Sequence, residues 1–537
     1  MAPLTRAALA ASLLLAAPLV AQEGPGRTLR LVFGAEPTAP VPTLTRGLTQ
    51  NNDVASLLFL PLAAPGPSLS TVGEAGFEPR LARSWHRRDS LTIAFDLDPR
   101  ARWHDGRPVT AADVLFTFER ARNPKLAPSL ALLLGRIASV TAEGDRRVVV
   151  RFTERYPEQF YDATFHLGIL PAHLLAGVPP DSLAASPFLR APVGSGAYRW
   201  VRLVPGQFTE LEAVPGFFLG RPGVDRIVIR YATDPSARLN LLLGGEIDAL
   251  DFLVPPLDNL QLVGEHPELR VVHAPSLSYG YVLFNHRDPA DTSRPHPLLA
   301  DRDVRRALVL AIDREAITRA IFGTYAVVPI GPASQLVPVQ PARALAARGD
   351  LAEAQRLLAA AGWVDADGDG IRERDGRPLA LTLRYPTSSA PRRLASQALA
   401  EQWRRAGVAI TLEPLEFAAY GPKFIGRRFD LAFQGATQDP TPSALAQSWS
   451  CAGRSGTNYG GYCNPRVDSL LARARTARDP RPLWNEAVGT IDGDAPALFL
   501  YAQANVLAVA RRFDEIVLRP TSWWSDVWRW RVRAAAR

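Results

Sequence analysis

Every second residue from Leu91 to Leu97 is apolar. This alternation predicts a strand with one buried face, because successive side chains of a strand point to opposite sides. Apolar residues then recur at helical spacing after Thr110, and Asp113 stands three positions beyond it. This pair predicts a helix that starts at Thr110 with reciprocal capping of its first turn. A further strand is predicted at residues 147–152, so this region combines strands with a capped helix.

The second half of the chain alternates helical and strand patterns. Asp350 predicts the start of a capped helix, and two short helices are predicted within 303–321. Leu394–Arg405 has the spacing of an amphipathic helix, Gly407 ends it, and residues 408–412 then alternate as a strand. Helix, glycine and strand in this order form the second half of a β-α-β unit. The pattern predicts an α/β fold with more than one lobe.

Residues 1–21 have the pattern of a secretory signal peptide. They contain no acidic residue, Arg6 supplies a positive charge, and Ala7–Val20 is an apolar run of 14 residues. We expect cleavage near Ala21 and export of the remaining chain. The run is shorter than the roughly 20 residues that span a bilayer, and no later segment reaches that length without charges, so we expect no membrane anchor. A buried N-terminal helix is the alternative interpretation.

The chain has two cysteines, Cys451 and Cys463. Neither lies near the N-terminus, where a lipid-modified cysteine would stand, so we expect a periplasmic protein and not a lipoprotein. They bracket a stretch rich in Gly, Ser and Asn, and in an oxidising compartment we expect them to form a disulfide. A metal-binding pair or a reactive thiol is the alternative.

Composition and charge exclude some functions. Hydrophobic residues make up 47% of the 537 residues and charged residues 21%, which is typical of a globular protein. All 61 basic residues except Lys125 and Lys423 are arginine, and the formal net charge is +8. The arginines are scattered, often beside an acid, as in 301–306. Because a nucleic-acid-binding protein clusters its basic residues, we expect no nucleic-acid partner.

The sequence contains no nucleophile elbow, HExxH, P-loop or GxGxxG motif in usable form. Asp365–Ile371 resembles the start of an EF-hand loop, but Gly376 stands where a bidentate glutamate is needed. We expect a polar hairpin turn there, with weak calcium binding as the alternative. Without a nucleophile, a metal set or a cofactor loop, we expect neither an enzyme nor a resident metal or cofactor.

Several ordered segments together resemble the family 5 extracellular solute-binding proteins, the peptide and nickel receptors of ABC importers. No single segment would suffice, but they follow one another in family order over about residues 28 to 520. The matching segments are Leu81–Trp85, Trp103–Val114, Phe118–Arg120, Pro192–Tyr198, Gly245–Asp248, Tyr281–Asn285, Val304–Asp313, Asp367–Ile371 and Asn464–Asp468.

The resemblance implies a two-lobed periplasmic-binding-protein fold with a hinge, and an additional domain on the first lobe. Lobe I would be discontinuous, formed by residues 27–56, 190–284 and 500–537. The additional domain would be 57–189, and lobe II would be 285–499. The lobes would close over a solute, and the closed receptor would dock on the permease subunits of an ABC importer. Such receptors usually work as monomers.

Peptide receptors of this family bind the free amino group of the peptide with an aspartate, in a segment similar to Phe433–Pro440. Asp439 matches the end of that segment, whereas the position of the amine-binding aspartate falls on Ala436. Removing one partner of a buried charge pair costs about 2–5 kcal/mol, so this departure bears on the ligand. Either a nearby acid such as Asp439 substitutes, or the ligand has no free amino group there.

The resemblance implies further ligand contacts near the lobe crossover and after a strand predicted at 381–384. Aromatic residues in these segments either stack on a ligand or form wall and core. Arg392 and Arg393, which follow, are expected to face solvent, and the C-terminal tryptophans at 523–530 are expected to pack a lobe. The ligand-binding candidates are Tyr279, Tyr281, Asn285, Ser388, Ser389, Phe433, Gly435, Ala436, Thr437, Gln438 and Asp439.

The leading hypothesis is a periplasmic receptor that delivers a peptide or peptide-like solute to an ABC importer. The same fold could bind a nickel chelate, an oligosaccharide or another organic solute. A secreted hydrolase on this scaffold is the alternative from another class, and a docking protein that presents its ligand to a membrane sensor is a third.

Overall fold

The computed structural model describes residues 27–44, 49–165, 167–251, 257–334, 336–337, 339–342 and 344–533. The predicted signal peptide, residues 1–21, lies outside the described residues. None of the helices in the described part of the chain is long and apolar enough to cross a membrane.

Helices and strands alternate along the chain as the sequence pattern predicts. The helices are α1 (Thr49–Leu58), α2 (Ala111–Ala121), α3 (Pro128–Leu133), α4 (Gln159–Thr164), α5 (Ala172–Leu175), α6 (Pro235–Leu243), α7 (Leu257–Glu265), α8 (Arg302–Leu310), α9 (Arg314–Phe322), α10 (Leu351–Ala360), α11 (Ala390–Arg405), α12 (Phe417–Ile425), α13 (Leu445–Trp449), α14 (Pro465–Ala474) and α15 (Arg481–Asp494). The strands are β1 (Thr28–Phe33), β2 (Ala63–Pro65), β3 (Phe77–Pro79), β4 (Ala82–Asp89), β5 (Thr92–Leu97), β6 (Ile137–Ala142), β7 (Arg147–Phe152), β8 (Tyr198–Val204), β9 (Phe208–Ala213), β10 (Arg226–Tyr231), β11 (Ala249–Leu250), β12 (Leu269–Phe284), β13 (Ala326–Val327), β14 (Glu373–Arg374), β15 (Arg377–Pro378), β16 (Ala380–Pro386), β17 (Ala409–Leu415), β18 (Leu431–Thr437), β19 (Ala497–Ala510), β20 (Phe513–Asp514) and β21 (Arg531–Val532).

One large sheet runs through both lobes in the order β17-β16-β18-β12-β19-β11-β1-β10-β9-β8. The long antiparallel strands β12 and β19 are shared between its two halves. The first half of β12 pairs with residues 504–510, and its second half pairs with residues 497–502 and with β18. The pairing of β12 with β19 is irregular between Pro275 and Tyr281. The two halves of the sheet therefore meet at a bulged segment of two continuous strands.

A smaller antiparallel sheet, β4-β5-β7-β6, lies beside the large one. The strand predicted at Leu91–Leu97 is β5, and the one predicted at 147–152 is β7. The predicted capping is present at α2, where the Thr110 backbone N–H donates to the Asp113 carboxylate over 2.8 Å. Local sequence alone determines this helix start, because both groups of the cap belong to its first turn.

The predicted helices of the second half are also present. The Asp350 carboxylate accepts a hydrogen bond of 2.9 Å from the Glu353 N–H at the start of α10. Helix α11 ends before Gly407, whose φ of +84° suits glycine. It begins at Ala390, four residues before the predicted start at Leu394. Its first turn is polar but contains Pro391. Proline fits the first turn of a helix because the N–H that it lacks would have no hydrogen-bond partner within the helix there.

Separate hydrophobic cores support the two lobes. One core includes Phe33 of β1 and Phe95 of β5, and another packs α11 on β16, with Trp403 fully buried. The C-terminal tryptophans pack into the first core as expected, with Trp524 and Trp530 fully buried. The protein is a two-lobed α/β fold with an additional small sheet. The residue boundaries given above for the lobes stay a prediction.

Cys451 and Cys463 form the predicted disulfide. It closes the loop between α13 and α14, which packs against the second lobe. The loop is also held by the Asn458 side chain, which donates to the backbone carbonyls of Ser450 and Tyr462.

Candidate functional site

The carboxyl ends of three strands of the second lobe meet at one edge of the large sheet. Strand β16 is parallel to both β17 and β18, so all three end on the same side. Ligands of open α/β sheets bind beyond such an edge, because the loops there are free to diverge. Strand β18 also pairs antiparallel with β12, and this pairing begins at the same edge. There the hydroxyls of Ser278 and Thr437 are 2.9 Å apart.

A cavity of about 150 Å³ lies beyond this edge. It brings together five of the predicted ligand-binding residues: Tyr279, Ala436, Thr437, Gln438 and Asp439. Helix α13 closes the opposite wall. The remaining lining residues are Pro332, Ala444, Leu445, Gln447, Ser448 and Trp449.

The rings of Tyr279 and Trp449 form an aromatic floor in this cavity, and further rings pack behind them. The ring centroid of Tyr281 lies 5.4 Å from Tyr279, 6.2 Å from Trp449 and 6.0 Å from Phe499. Burial raises the pKa of Tyr281 to about 12 and raises that of Tyr279 further, so both hydroxyls stay protonated at neutral pH. The floor is therefore apolar with neutral hydroxyl groups. Tyr281 packs behind this floor and does not line the cavity itself.

Gln438 provides a buried amide at the cavity wall. Its Oε1 accepts a hydrogen bond of 2.9 Å from the Ser334 N–H. Its Nε2 is buried and has no acceptor among the residues that the structure describes. A buried donor without an acceptor is costly, so a carbonyl of a bound solute would stabilise it.

Besides Tyr281 and Gly435, four predicted residues lie outside the cavity. Asn285 is fully buried, and its amide donates to the backbone carbonyls of Arg427 and Phe429, which ties two chain segments together. Phe433 packs fully buried in the core of the second lobe. Ser388 is exposed and Ser389 half-buried in the loop before α11. Asn285 and Phe433 therefore have structural contacts, and Ser388 and Ser389 lie beside the sheet edge at the end of β16.

Arg392 is half-buried, whereas the sequence led us to expect that it faces solvent. Its side chain turns back from the first turn of α11 onto β18, where Nη2 lies 2.5 Å from the position that a Cβ on Gly435 would occupy. Gly435 leaves room for the guanidinium, and its neighbour Gly280 likewise leaves room for the Tyr501 ring. The expectation was wrong because helical spacing does not show which first-turn side chains fold back over a sheet edge. Arg393 is exposed as expected.

The additional small-sheet region contacts the second lobe beside this cavity. The Glu158 carboxylate, in the segment before α4, accepts hydrogen bonds from the hydroxyls of Thr71 (3.1 Å) and Thr441. Glu158 is 3% exposed and Thr441 is 5% exposed. Thr441 follows β18 by four residues. The two regions therefore meet through a buried carboxylate.

Asp162 on α4 faces Asp439 across this contact. Burial raises the pKa of Asp162 to about 6, Arg136 at 3.1 Å opposes that shift, and the charge of Asp439 adds to it. The hydroxyl of Tyr156 donates to the same carboxylate over 2.7 Å. This side of the site is therefore acidic and rich in hydrogen-bond groups.

The Asp365–Ile371 turn is a separate acidic surface. Its carboxylates accept hydrogen bonds from the turn's own N–H groups, as in Asp365 to Gly368 at 2.8 Å. Asp365, Asp367 and Glu373 place one oxygen each within 4.8 Å of one another, and the first two are exposed. This is the only group of that kind among the described residues, and it lies apart from the cavity.

Sequence reasoning missed three features of the site: Trp449, the inward turn of Arg392, and Glu158. Trp449 lies two residues before Cys451, and only the fold of the disulfide loop brings it to the cavity. Glu158 is 283 residues away from Thr441 along the chain. No local pattern marks such pairs, although the glycines at 280 and 435 are a signal for a close approach by another group.

Three comparisons with known proteins agree with this architecture. The family of bacterial extracellular solute-binding proteins, family 5 Middle, matches residues 76–458. The oligopeptide-binding protein AppA of Bacillus subtilis is 26% identical over 450 residues, which are 80% of this chain and 81% of AppA. The structure of that AppA in complex with a nonapeptide matches 94% of this chain and 99% of its own, with a TM-score of 0.78 and 25% identity.

A nickel-binding structure is equally similar. NikZ from Campylobacter jejuni, in complex with Ni(L-His), matches 94% of this chain and 100% of its own, with a TM-score of 0.79 and 25% identity. The family resemblance found in the sequence is thus confirmed over most of the chain, in sequence and in fold. The chain belongs to family 5 of the bacterial extracellular solute-binding proteins.

Proposed function

We propose that this protein is the receptor that delivers a peptide or peptide-like solute to an ABC importer. The observation that carries the proposal is the cavity beyond β18. It combines an aromatic floor, a buried amide donor on Gln438 and a carboxylate on Asp439. A few directional polar groups on an apolar wall are typical of small-molecule sites, and AppA, a relative, is named as an oligopeptide-binding protein.

The polar groups of the cavity suit a peptide backbone. The Gln438 Nε2 would donate to a peptide carbonyl, and the neutral hydroxyls of Tyr279 and Thr437 would both donate and accept. Asp439 is half-buried in the same cavity as Ala436. It would bind the ammonium group of the ligand in place of the aspartate that relatives have at position 436.

Binding would work through lobe closure. The bulged segment of β12 between Pro275 and Tyr281 would act as the hinge, because a bulge interrupts the ladder between two rigid halves. The contact between Glu158 and Thr441 would form on closure. The closed surface would then dock on the permease subunits, whose ATPase partner would supply the energy.

The remaining parts of the proposal rest on the sequence. The first 21 residues would be a cleaved signal peptide, and the mature chain would be a periplasmic monomer without a lipid anchor. The receptor would perform no covalent chemistry, and it would need no cofactor.

Native mass spectrometry of the protein purified from its own periplasm, followed by denaturing release of the bound solute, tests the proposal. A heterogeneous set of short peptides is the expected result. A single metal chelate, a sugar or another organic mass would replace the peptide assignment and keep the receptor role. Steady turnover of an added peptide would instead support the hydrolase alternative.

A variant tests the role of Asp439. Asp439→Asn keeps the size of the side chain and removes its charge, so we expect a loss of affinity for peptides with a free amino group and little change for their N-acetylated forms. Equal effects on both forms would contradict the proposed ammonium contact. The exposed Asp365→Asn, which lies apart from the cavity, is the matched control.

A further inference from the structure

The bulge of β12 is held by a buried serine. Where β12 has residues 276–278, β19 has only Gln503, because the pairing of the two strands shifts register there. Such a bulge interrupts the ladder and leaves backbone groups without strand partners. The Ser276 hydroxyl donates to the Gln503 carbonyl and accepts from the Ser278 N–H over 3.1 Å. Ser276 therefore substitutes for the ladder at the point proposed as the hinge.

Ser334 joins this bulge to Gln438 of the cavity wall. Its hydroxyl donates to the Ser276 carbonyl over 2.9 Å, and its backbone N–H donates to Oε1 of Gln438 over 2.9 Å. Ser276, Ser334 and Gln438 are 2%, 1% and 9% exposed, so water competes little for these hydrogen bonds. The bonds form a continuous path from the cavity wall to the bulge. Ser276 and Ser334 lie on opposite sides of the predicted boundary between the lobes.

The orientation of the Gln438 amide determines whether this path is intact. The Ser334 N–H needs an oxygen as its acceptor, so it fixes Oε1 on its own side and leaves Nε2 for another partner. Nε2 is buried and has no acceptor among the residues that the structure describes. Because an unsatisfied buried donor is costly, this orientation is unfavourable without a solute. A solute acceptor at Nε2 would remove that cost and so stabilise the hydrogen bond to Ser334.

Two further contacts join the bulge to the cavity wall without involving that amide. The backbone N–H of Gln438 donates to the Leu277 carbonyl over 3.0 Å, and the hydroxyls of Thr437 and Ser278 are 2.9 Å apart. Neither contact changes when the Gln438 amide rotates. The hydrogen bonds of Ser334 are therefore the part of this junction that can respond to a solute.

We propose that Ser334 is the positioning residue that couples binding of a solute at Gln438 to the bulge of β12. A carbonyl or another acceptor of the solute holds the amide, the amide holds Ser334, and Ser334 holds the Ser276 carbonyl. Since the solute binds more tightly to this orientation of the amide, it shifts the population toward the intact path. This inference rests on the proposed function for the location of the solute, but it requires only a hydrogen-bond acceptor and not a peptide.

Hydrogen exchange, measured by mass spectrometry on the full mature chain freed of solute by denaturation and refolding, tests the coupling. Two amides report on the two ends of the path: the Ser334 N–H, bonded to Gln438, and the Ser278 N–H, bonded to Ser276. The probes are tri-alanine and the solutes released from the protein purified from its own periplasm. We expect a bound probe to slow exchange at both amides about fivefold or more, the value of one hydrogen bond.

Ser334→Ala removes the hydroxyl and keeps the backbone N–H. We expect a bound probe still to slow exchange at residue 334, whereas exchange at Ser278 should no longer respond. A merely structural role of Ser334 would instead speed exchange at both positions, with and without the probe.

Two further variants complete the test. Ser396→Ala is the matched control and should respond as the wild type does, because Ser396 is also fully buried but its hydroxyl has no partner among the described residues. Gln438→Met keeps the length of the side chain and loses both of its hydrogen-bonding groups, so the response to a bound probe should be lost at both amides. It tests the path from the cavity end if Ser334→Ala does not fold.

The outcomes separate this inference from the proposed function. A released non-peptide solute that slows exchange at both amides, with the Ser278 response lost in Ser334→Ala, would support the coupling and overturn the peptide assignment. Tri-alanine that binds without slowing exchange at Ser278, or that still slows it in Ser334→Ala, would overturn the coupling and leave the peptide assignment standing. A wild type in which neither probe changes exchange at either amide would count against both.

Discussion

Thr441→Val should weaken ligand binding although Thr441 does not line the cavity. Its hydroxyl donates to Glu158, which is 3% exposed, and this is the contact that the proposed lobe closure would form. In an open form water would satisfy that carboxylate. In the variant, closure would still remove the water but would supply one donor fewer, so the closed form loses stability relative to the open form.

The magnitude follows from the burial. A buried carboxylate that loses one hydrogen-bond donor costs about 2 kcal/mol, and this cost falls on the closed form alone. If ligand binding proceeds through the proposed lobe closure, the apparent affinity falls by about thirtyfold. Calorimetric titration with a peptide that elutes from the purified protein measures this loss.

Thr71→Val is the matched control. Thr71 donates to the same carboxylate over 3.1 Å, but both residues belong to the predicted additional domain, so that bond persists when the lobes separate. We expect this variant to melt at a lower temperature and to bind the ligand within about twofold of the wild type. Small-angle scattering of the ligand-free proteins should show a larger radius of gyration for Thr441→Val only.

Two results would refute this reasoning. If Thr441→Val binds with wild-type affinity, the Glu158 contact does not contribute to closure. If Thr71→Val loses as much affinity as Thr441→Val, the loss reflects local disorder around Glu158 and not the contact between the regions.

Further expectations concern charge, pH and the disulfide. Ala436→Asp should tighten binding of a peptide with a free amino group if Asp439 supplies only part of the counter-charge, and calorimetry against the N-acetyl form checks this. Burial raises the pKa of Asp162 to about 6, so the native state binds this proton more tightly than the unfolded state, and Asp162 by itself should stabilise the native state by about 1 kcal/mol more at pH 5 than at pH 7.5, measured as the difference between the wild type and Asp162→Asn in urea unfolding. Asp162→Asn should lack this gain, and a wild type that loses stability to the same extent as the variant would contradict it. Reduction of the Cys451–Cys463 disulfide should destabilise the second lobe by about 3 kcal/mol, as the melting temperature with and without reductant shows.

Local elements of this fold could be predicted because their determinants are close in sequence. The Thr110–Asp113 cap, strand β5 and the Gly407 end of α11 each depend on a few neighbouring residues and on the period of the hydrophobic pattern. The disulfide was predictable from two cysteines in a chain that we expect to be exported. The predicted start of α11 lay four residues too far along the chain. Its first turn is polar, so the apolar pattern does not show it, although its proline is compatible with a helix start.

The candidate site was predictable only in part. Ala436, Thr437, Gln438 and Asp439 line one cavity because they are consecutive at the end of a single strand. Their resemblance to a segment of the family identified them as candidates. Residues of α13, which are distant from β18 in space until the chain folds, complete the cavity.

The sequence by itself determined the fold class, the family and one wall of the site. Only the tertiary structure decided which side chains complete it: the approach of Trp449, the contact between Glu158 and Thr441, and the return of Arg392 over Gly435. The physical reason is that burial and charge pairing depend on residues brought together from distant parts of the chain. A pattern of neighbours along the sequence cannot show whether an arginine has an acid beside it in space.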